Sequence, residues 1–210
     1  MNIKLICFDL DQTLIKHSSW KELGLALGIS HEKDRELYNE YKSGITTYDE
    51  WNNKILKLYL KHQDANKEKI NKILSRFEYN KGAKEIIKYL KDKGYILVLI
   101  SGSIDILVDM VAKDLGIKYK KANNIFIFDE EDRIKEICSF GDDISSKLLY
   151  LENFCKMLNI DIKECVCVAD GANDIEMFRR TGHGITFSDS KIKNEAWKVI
   201  NSLSDLKSVF

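Results

Sequence analysis

Short, unbroken apolar runs alternate along the chain with segments whose apolar residues recur every three or four positions. Three runs stand out, and each ends at a small or acidic residue: Ile3–Phe8 before Asp9, Ile96–Ile100 before Ser101, and Val166–Ala169 before Asp170. Runs without polar alternation predict strands covered on both faces, like the central strands of a parallel sheet. Around them, Ala83–Lys93, Ile104–Leu115, Ile144–Leu158 and the shorter Ile175–Arg180 carry helical spacing. Gly94, Gly116 and Gly182 stand where three of these segments stop, as helix-ending glycines do. Strand, loop, helix, strand in repeated order predicts an α/β fold with a doubly wound parallel sheet.

Residues 17–80 break that order. They read as four helices, Trp20–Leu27, Glu32–Lys42, Asp49–His62 and Lys67–Phe77, with no strand-like run between them. A helical block of this size after the first strand predicts an inserted four-helix cap (17–80) on a core formed by 1–16 and 81–210. The alternative is a helical decoration of the sheet edge. Basic and acidic residues nearly balance within the block, so it is not a basic docking surface.

Composition narrows the class. With 44% hydrophobic and 31% charged residues the chain has apolar mass for a packed core, which excludes a disordered protein. Thirty-three basic residues meet 33 acidic ones, which argues against nucleic acid as the main partner. The cysteines (7, 138, 155, 165 and 167) are odd in number and form no CxxC pair. Cys165 and Cys167 lie two apart in a strand, share one face, and read as buried thiols that stay reduced. No apolar run is long enough to span a bilayer, and the opening MNIKLICF lacks a signal-peptide layout. A cytoplasmic protein with no membrane partner is the expectation.

The candidate chemistry collects at the strand ends. The first strand delivers Asp9 and Asp11 in FDLDQTL. At strand spacing, residues two apart face the same side, so two carboxylates meet at the carboxyl edge of the sheet, where open α/β sheets bind ligands. Taken alone, the pair reads equally as a helix cap and a turn residue. A second acidic cluster changes that: Asp170, then Gly171, Asn173 and Asp174. Here Gly171 would allow a tight turn, Asn173 would cap the next helix, and Asp174 would lie in its first turn, a place that capping alone also explains. Four carboxylates at one edge repel one another unless a cation lies among them, and an all-oxygen donor set suits Mg²⁺. The histidines and cysteines lack zinc-ligand spacing. A third strand end presents Ser101-Gly102-Ser103 ahead of a helix, a ready anion site unless the serine is only an N-cap. Lys147 lies early in the helix before Asp170.

The ordered pieces DLDQT, ISGSID, Lys147 and VADGANDIEMF resemble the four motifs of the haloacid dehalogenase superfamily. The helical block between the first two motifs resembles the phosphoserine-phosphatase-like branch, and the likeness runs nearly end to end. It implies a Rossmann-like core and a Mg²⁺-dependent phosphatase acting on a small phosphorylated metabolite. By resemblance, Asp9 is the nucleophile that forms an aspartyl-phosphate, and Asp11 is the general acid and base. Mg²⁺ would be held by the Asp9 carboxylate, the Asp11 backbone carbonyl and Asp170, with Asp174 anchoring the site. Ser101 and the Gly102 N–H match the phosphate-binding motif, Lys147 the neutralising lysine, and Asn173 a further phosphate contact. The P-type ATPases carry Thr at the position of Asp11, and the dehalogenases lack the second Asp. Ester hydrolysis is therefore favoured over phosphotransfer to an acceptor alcohol and over non-catalytic binding of a phospho-ligand.

The substrate handles depart from that branch. Its phosphoserine phosphatases place a Glu for the substrate ammonium where this chain has Ser18, and a cap Arg for the carboxylate where GITTYDEWNNK places Asn53. A slip of one residue would offer Lys54. Phosphoserine is therefore not the expected substrate, because a site built to bind a group loses most when the partner is missing. Trp20 would either close over the substrate, where its face suits an ammonium, or pack inside the cap. His17 reads as a solvated loop residue, and Ser103 narrows the pocket where a second Gly is common. Gln12 replaces a Gly or Ser, with no mechanistic consequence expected. Aromatic faces around Tyr38/Tyr41 and Trp51/Tyr59 fit either a homodimer contact or the packing of a monomer.

Overall fold

A computed structural model describes residues 2–210. The sheet has seven strands: β1 (Leu5–Phe8), β2 (Ile96–Ile104), β3 (Tyr119–Phe128), β4 (Ile134–Ser139), β5 (Cys165–Val168), β6 (Gly184–Phe187) and β7 (Lys198–Ile200). Their order is β4-β3-β2-β1-β5-β6-β7. All pairings are parallel except β3–β4, an antiparallel hairpin at one edge. The sheet is therefore doubly wound and Rossmann-like, but mixed at that edge.

The central strands alternate strictly between two apolar layers. Ile6, Phe8, Leu97, Leu99, Val166 and Val168 face one cluster, whereas Leu5, Cys7, Val98, Ile100, Cys165 and Cys167 face the other. Both faces are covered, which is why these strands read as continuous apolar runs. Cys165 and Cys167 do share a buried face, and all five cysteines are free thiols.

Four helices follow β1: α1 (Ser19–Ala26), α2 (His31–Lys42), α3 (Tyr48–Tyr59) and α4 (Lys67–Leu74). Each starts and stops within a few residues of its expected bounds, and Ser30, Thr47 and Asn66 cap three of them. Two chain segments run side by side at the root of this block. Lys16 N–H donates to the Glu78 carbonyl (2.9 Å) and Asn80 N–H to the Leu14 carbonyl (2.9 Å). The helices do not stand apart from the sheet: Leu23, Trp51, Ile55 and Ile70 belong to the same apolar cluster as Phe8, Leu99 and Phe126. Trp51 and Tyr59 are buried in that cluster and form no outer aromatic face, whereas Tyr38 is exposed. The remaining helices are α5 (Ala83–Asp92), α6 (Asp105–Leu115), α7 (Asp143–Leu158) and α8 (Ile175–Thr181). Among the described residues no helix is long and apolar enough to cross a membrane.

Two expectations need correction. Strand β2 does not stop at Ile100 but continues to Ile104, with its register shifting between Ser101 and Ile104. Ser101–Ser103 therefore lie in the irregular end of a strand, ahead of α6. Asn173 does not cap a helix: Ala172–Asp174 form a short 3-10 turn, and no side chain caps either it or α8.

Candidate active site

The carboxyl ends of β1, β2 and β5 bring the predicted residues together. Asp9 follows β1 and is buried. Lys147, one turn into α7, is buried as well, and its Nζ lies 2.7 Å from Asp9 Oδ1 and 2.8 Å from Asp174 Oδ1. Burial works against the lysine's charge. The two carboxylates outweigh it, and Lys147 is held protonated above the ordinary lysine range. With its amide nitrogen turned to the nearest acceptor, Asn173 donates to Asp174 Oδ2 (3.2 Å) and accepts from Lys147 Nζ (3.2 Å). Asp174 thus turns inward and caps nothing. Gly171 has an ordinary negative φ, and a Cβ there would press on the end of the Asn173 amide.

Carboxylate oxygens of Asp9, Asp170 and Asp174 all lie within 4.8 Å of one another. Thr13 Oγ1 donates to Asp170 Oδ1 (3.3 Å). Burial first, then the neighbouring charges of Asp9 and Asp174, pushes Asp170 up to about 7. Asp174 is also pushed up to about 7, chiefly by burial, with Lys147 opposing. Three hard oxygen donors whose charges repel form a donor set suited to a divalent cation such as Mg²⁺.

Asp11 is held differently. Its Oδ2 accepts from Ser19 N–H (2.9 Å) and Ser19 Oγ (2.6 Å), while its buried Oδ1 has no partner. Burial pushes this carboxyl up to about 7, against the two bonds from Ser19. The chain leaves Asp11 through Gln12, which adopts a left-handed φ of 59°, and Asn80 Nδ2 bonds the carbonyls of Gln12, Thr13 and Ile15. Gln12 thus has a conformational consequence that its sequence position did not announce.

Ser101 and Ser103 are buried at the end of β2, where Ser103 N–H donates to Ser101 Oγ (3.1 Å). Ser103 Oγ and Ser19 Oγ lie 2.5 Å apart. The Gly102 carbonyl accepts from Trp20 Nε1 (3.1 Å) and Asn124 Nδ2 (2.8 Å), which orients this peptide. Trp20 packs its ring toward Trp51 and Phe126, so it joins the helical block to the strand end through its N–H.

The substrate handles do not converge here. Ser18 is half-buried at the start of α1, His17 is exposed, and Lys54 is paired with Glu40 (2.7 Å). Asn53 is exposed and takes no part in the site. Its neighbour Asn52 is buried instead, donating to Asn124 Oδ1 (3.0 Å) and Ser139 Oγ (3.2 Å). Sequence reasoning also missed Tyr48, Asn123, Asn124 and Asp143. Tyr48 OH donates to Asp143 Oδ1 (2.7 Å), as does Asn123 Nδ2 (2.8 Å), and Asn124 Nδ2 donates to Tyr48 OH (2.9 Å). The available signal was Asn123-Asn124 within a strand segment, a costly place for amides without partners.

A family model for haloacid dehalogenase-like hydrolases matches residues 3–182. The phosphoserine phosphatase of Methanocaldococcus jannaschii is 30% identical over 98% of this chain and 95% of its own. That of Campylobacter jejuni subsp. doylei is 30% identical over 99% of this chain and 98% of its own. A phosphoserine phosphatase solved as a phospho-aspartyl intermediate analogue superposes with a TM-score of 0.82, at 30% identity and 99% coverage of both chains. A substrate-bound phosphoserine phosphatase complex gives 0.82 at 29% identity, again over 99% of both chains. The chain belongs to the haloacid dehalogenase-like hydrolase family.

Proposed function

We propose that this hydrolase is a Mg²⁺-dependent phosphatase that cleaves a small phosphomonoester through an aspartyl-phosphate on Asp9. The observation that carries the reading is the division of labour between two carboxylates two residues apart. Asp9 has one oxygen on Lys147 and the other free. Asp11 is half-buried with its carboxyl raised to about 7, so a proton is available near neutral pH. An ionised carboxylate attacks; a neighbour of raised pKa moves the proton.

In the first half-reaction an Asp9 carboxylate oxygen bonds to phosphorus as the ester P–O bond breaks, and Asp11 gives its proton to the departing alkoxide. In the second, Asp11 takes a proton from water, the water oxygen attacks phosphorus, and Asp9 is released with inorganic phosphate. Ser101, the Gly102 N–H, Asn173 and Lys147 bind the phosphoryl oxygens. Asp9, Asp170, Asp174 and the Asp11 carbonyl would hold Mg²⁺, which would supply positive charge against the phosphate dianion. Residues 17–80 would act as a cap that keeps water from the site. Phosphoserine is disfavoured: Ser18 offers no charge for its ammonium, and neither the exposed Asn53 nor the paired Lys54 suits its carboxylate.

The test is phosphate release from a panel of small phosphomonoesters, including p-nitrophenyl phosphate. Release is expected with Mg²⁺, to be lost with chelator, and to be absent in Asp9→Asn. Turnover that survives Asp9→Asn would overturn the nucleophile, and a rate raised by added acceptor alcohol would favour phosphotransfer.

A further inference from the structure

Asp143 is a carboxylate beside the phosphate-binding strand end that the mechanism above does not use. It is the first residue of α7, one turn before Lys147. Both hydrogen bonds that it accepts fall on Oδ1, from Tyr48 on α3 and Asn123 on β3. Oδ2 is turned to the strand end: a Cβ built on Gly102 would come within 2.4 Å of it. Burial raises the Asp143 carboxyl, and the bond from Tyr48 opposes the rise. Tyr48 itself is held protonated by burial and by Asp143, so its O–H is a lasting donor. The carboxylate is thus oriented by two neutral donors; the charge of Lys147 also favours its ionised form, but that Nζ is bonded to Asp9 and Asp174. Asp143 is half-buried, so its Oδ2 is open to a counter-charge that arrives from outside, and a partly desolvated carboxylate gains from one.

The surroundings extend the argument. A groove of about 580 Å³ is lined by Tyr41, Tyr48 and Asp49 and by both chain neighbours of Asp143, Asp142 and Ile144. Its lining holds two acids and two phenols and no basic side chain. A surface of this kind beside Asp143 repels a plain phosphate dianion and favours an ester that brings its own cation, to which phenol faces are also attractive.

We infer that Asp143 Oδ2 selects the substrate, binding an ammonium group a few bonds from the phosphoryl group. The substrate class is a cationic alkyl phosphate without a free carboxylate. This deepens the phosphatase reading and rests on it. It differs from the branch's pattern in the residue used: the charge comes from the start of α7 rather than from position 18.

The experiment compares 2-aminoethyl phosphate with propyl phosphate, which replaces the ammonium by a methyl group, and with p-nitrophenyl phosphate as a general reporter, all with Mg²⁺. The wild-type chain is expected to prefer the cationic ester by about 10²-fold or more in kcat/KM, carried mostly by KM. In Asp143→Asn the ratio should fall toward one. Tyr48→Phe keeps the carboxylate and should keep most of the ratio. Equal use of the two alkyl esters by the wild type would overturn the inference without any variant. So would a ratio that survives Asp143→Asn, or one lost as fully in Tyr48→Phe, which would assign selectivity to the contact between α3 and α7. Hydrolysis of none of the esters would overturn the phosphatase reading itself, and this inference with it.

Discussion

At the scale of single residues, the arrangement around Asp11 makes a prediction about pH. Its Oδ2 is fixed by the N–H and hydroxyl of Ser19, while burial pushes the group up to about 7. The acid form serves the first half-reaction, so kcat/KM should fall as pH rises through the titration of Asp11. The Ser19 hydroxyl bonds the ionised carboxylate and therefore lowers its pKa. Ser19→Ala removes that bond, and the alkaline limb should move to higher pH by roughly one pH unit. Asp11→Asn should abolish the limb and slow turnover by about 10²–10⁴-fold. A pH–rate profile checks both, and an unmoved limb in Ser19→Ala would take the proton carrier away from Asp11.

At the scale of elements, the end of β2 shows how little room the site leaves. A Cβ at Gly102 would lie 2.4–2.8 Å from the atoms of the Asp143 carboxyl group, which Tyr48 and Asn123 hold in place. Gly102→Ala should therefore cost about 1–3 kcal/mol of stability and lower kcat/KM at least tenfold. Asp143→Ala in the same chain should restore much of the lost stability, a coupling measurable by thermal melts of the single and double variants. The ends of β1, β2 and β5 were legible in the sequence because each motif is local: a strand, a tight exit and one or two functional side chains. The helices were legible from their periodicity and caps. The contacts between α3 and the sheet were not. On a helix, a shift of one residue turns a side chain by about 100°, so a reading that chose Asn53 pointed at solvent while Asn52 pointed inward. Nor did β3 and β4 declare themselves: the apolar run of the hairpin, Ile125–Phe128, is short, and its outer face also carries Lys121 and Glu136. Asp143 lies one residue before the helix expected from Ile144, and its partners come from 95 and 20 residues away in sequence.

At the scale of the whole molecule, the helical block and the sheet share one apolar cluster, so they should unfold together. That makes global stability a usable reporter of the acidic site. Asp11, Asp170 and Asp174 are each pushed up to about 7 from an ordinary carboxyl value of 3.8. A carboxyl raised in the native state binds more protons there than in the unfolded chain. Its contribution to stability is full below the ordinary value and is lost as pH rises through the native one. Lys147 lies above its ordinary range, so its contribution stays constant across this window. The melting temperature of the metal-free protein should accordingly fall between about pH 4 and pH 7 and level off above that. Mg²⁺ would compete with those protons for the same oxygens, so the stabilisation it adds should be larger at pH 8 than at pH 6. Asp170→Asn should flatten the metal-free decline and remove most of the Mg²⁺ response. Melting curves at four pH values, with Mg²⁺ and with chelator, decide the matter. A metal-free melting temperature that rises through this window would mean that the three carboxylates are already ionised, and that the site is held together by Lys147 rather than awaiting a cation.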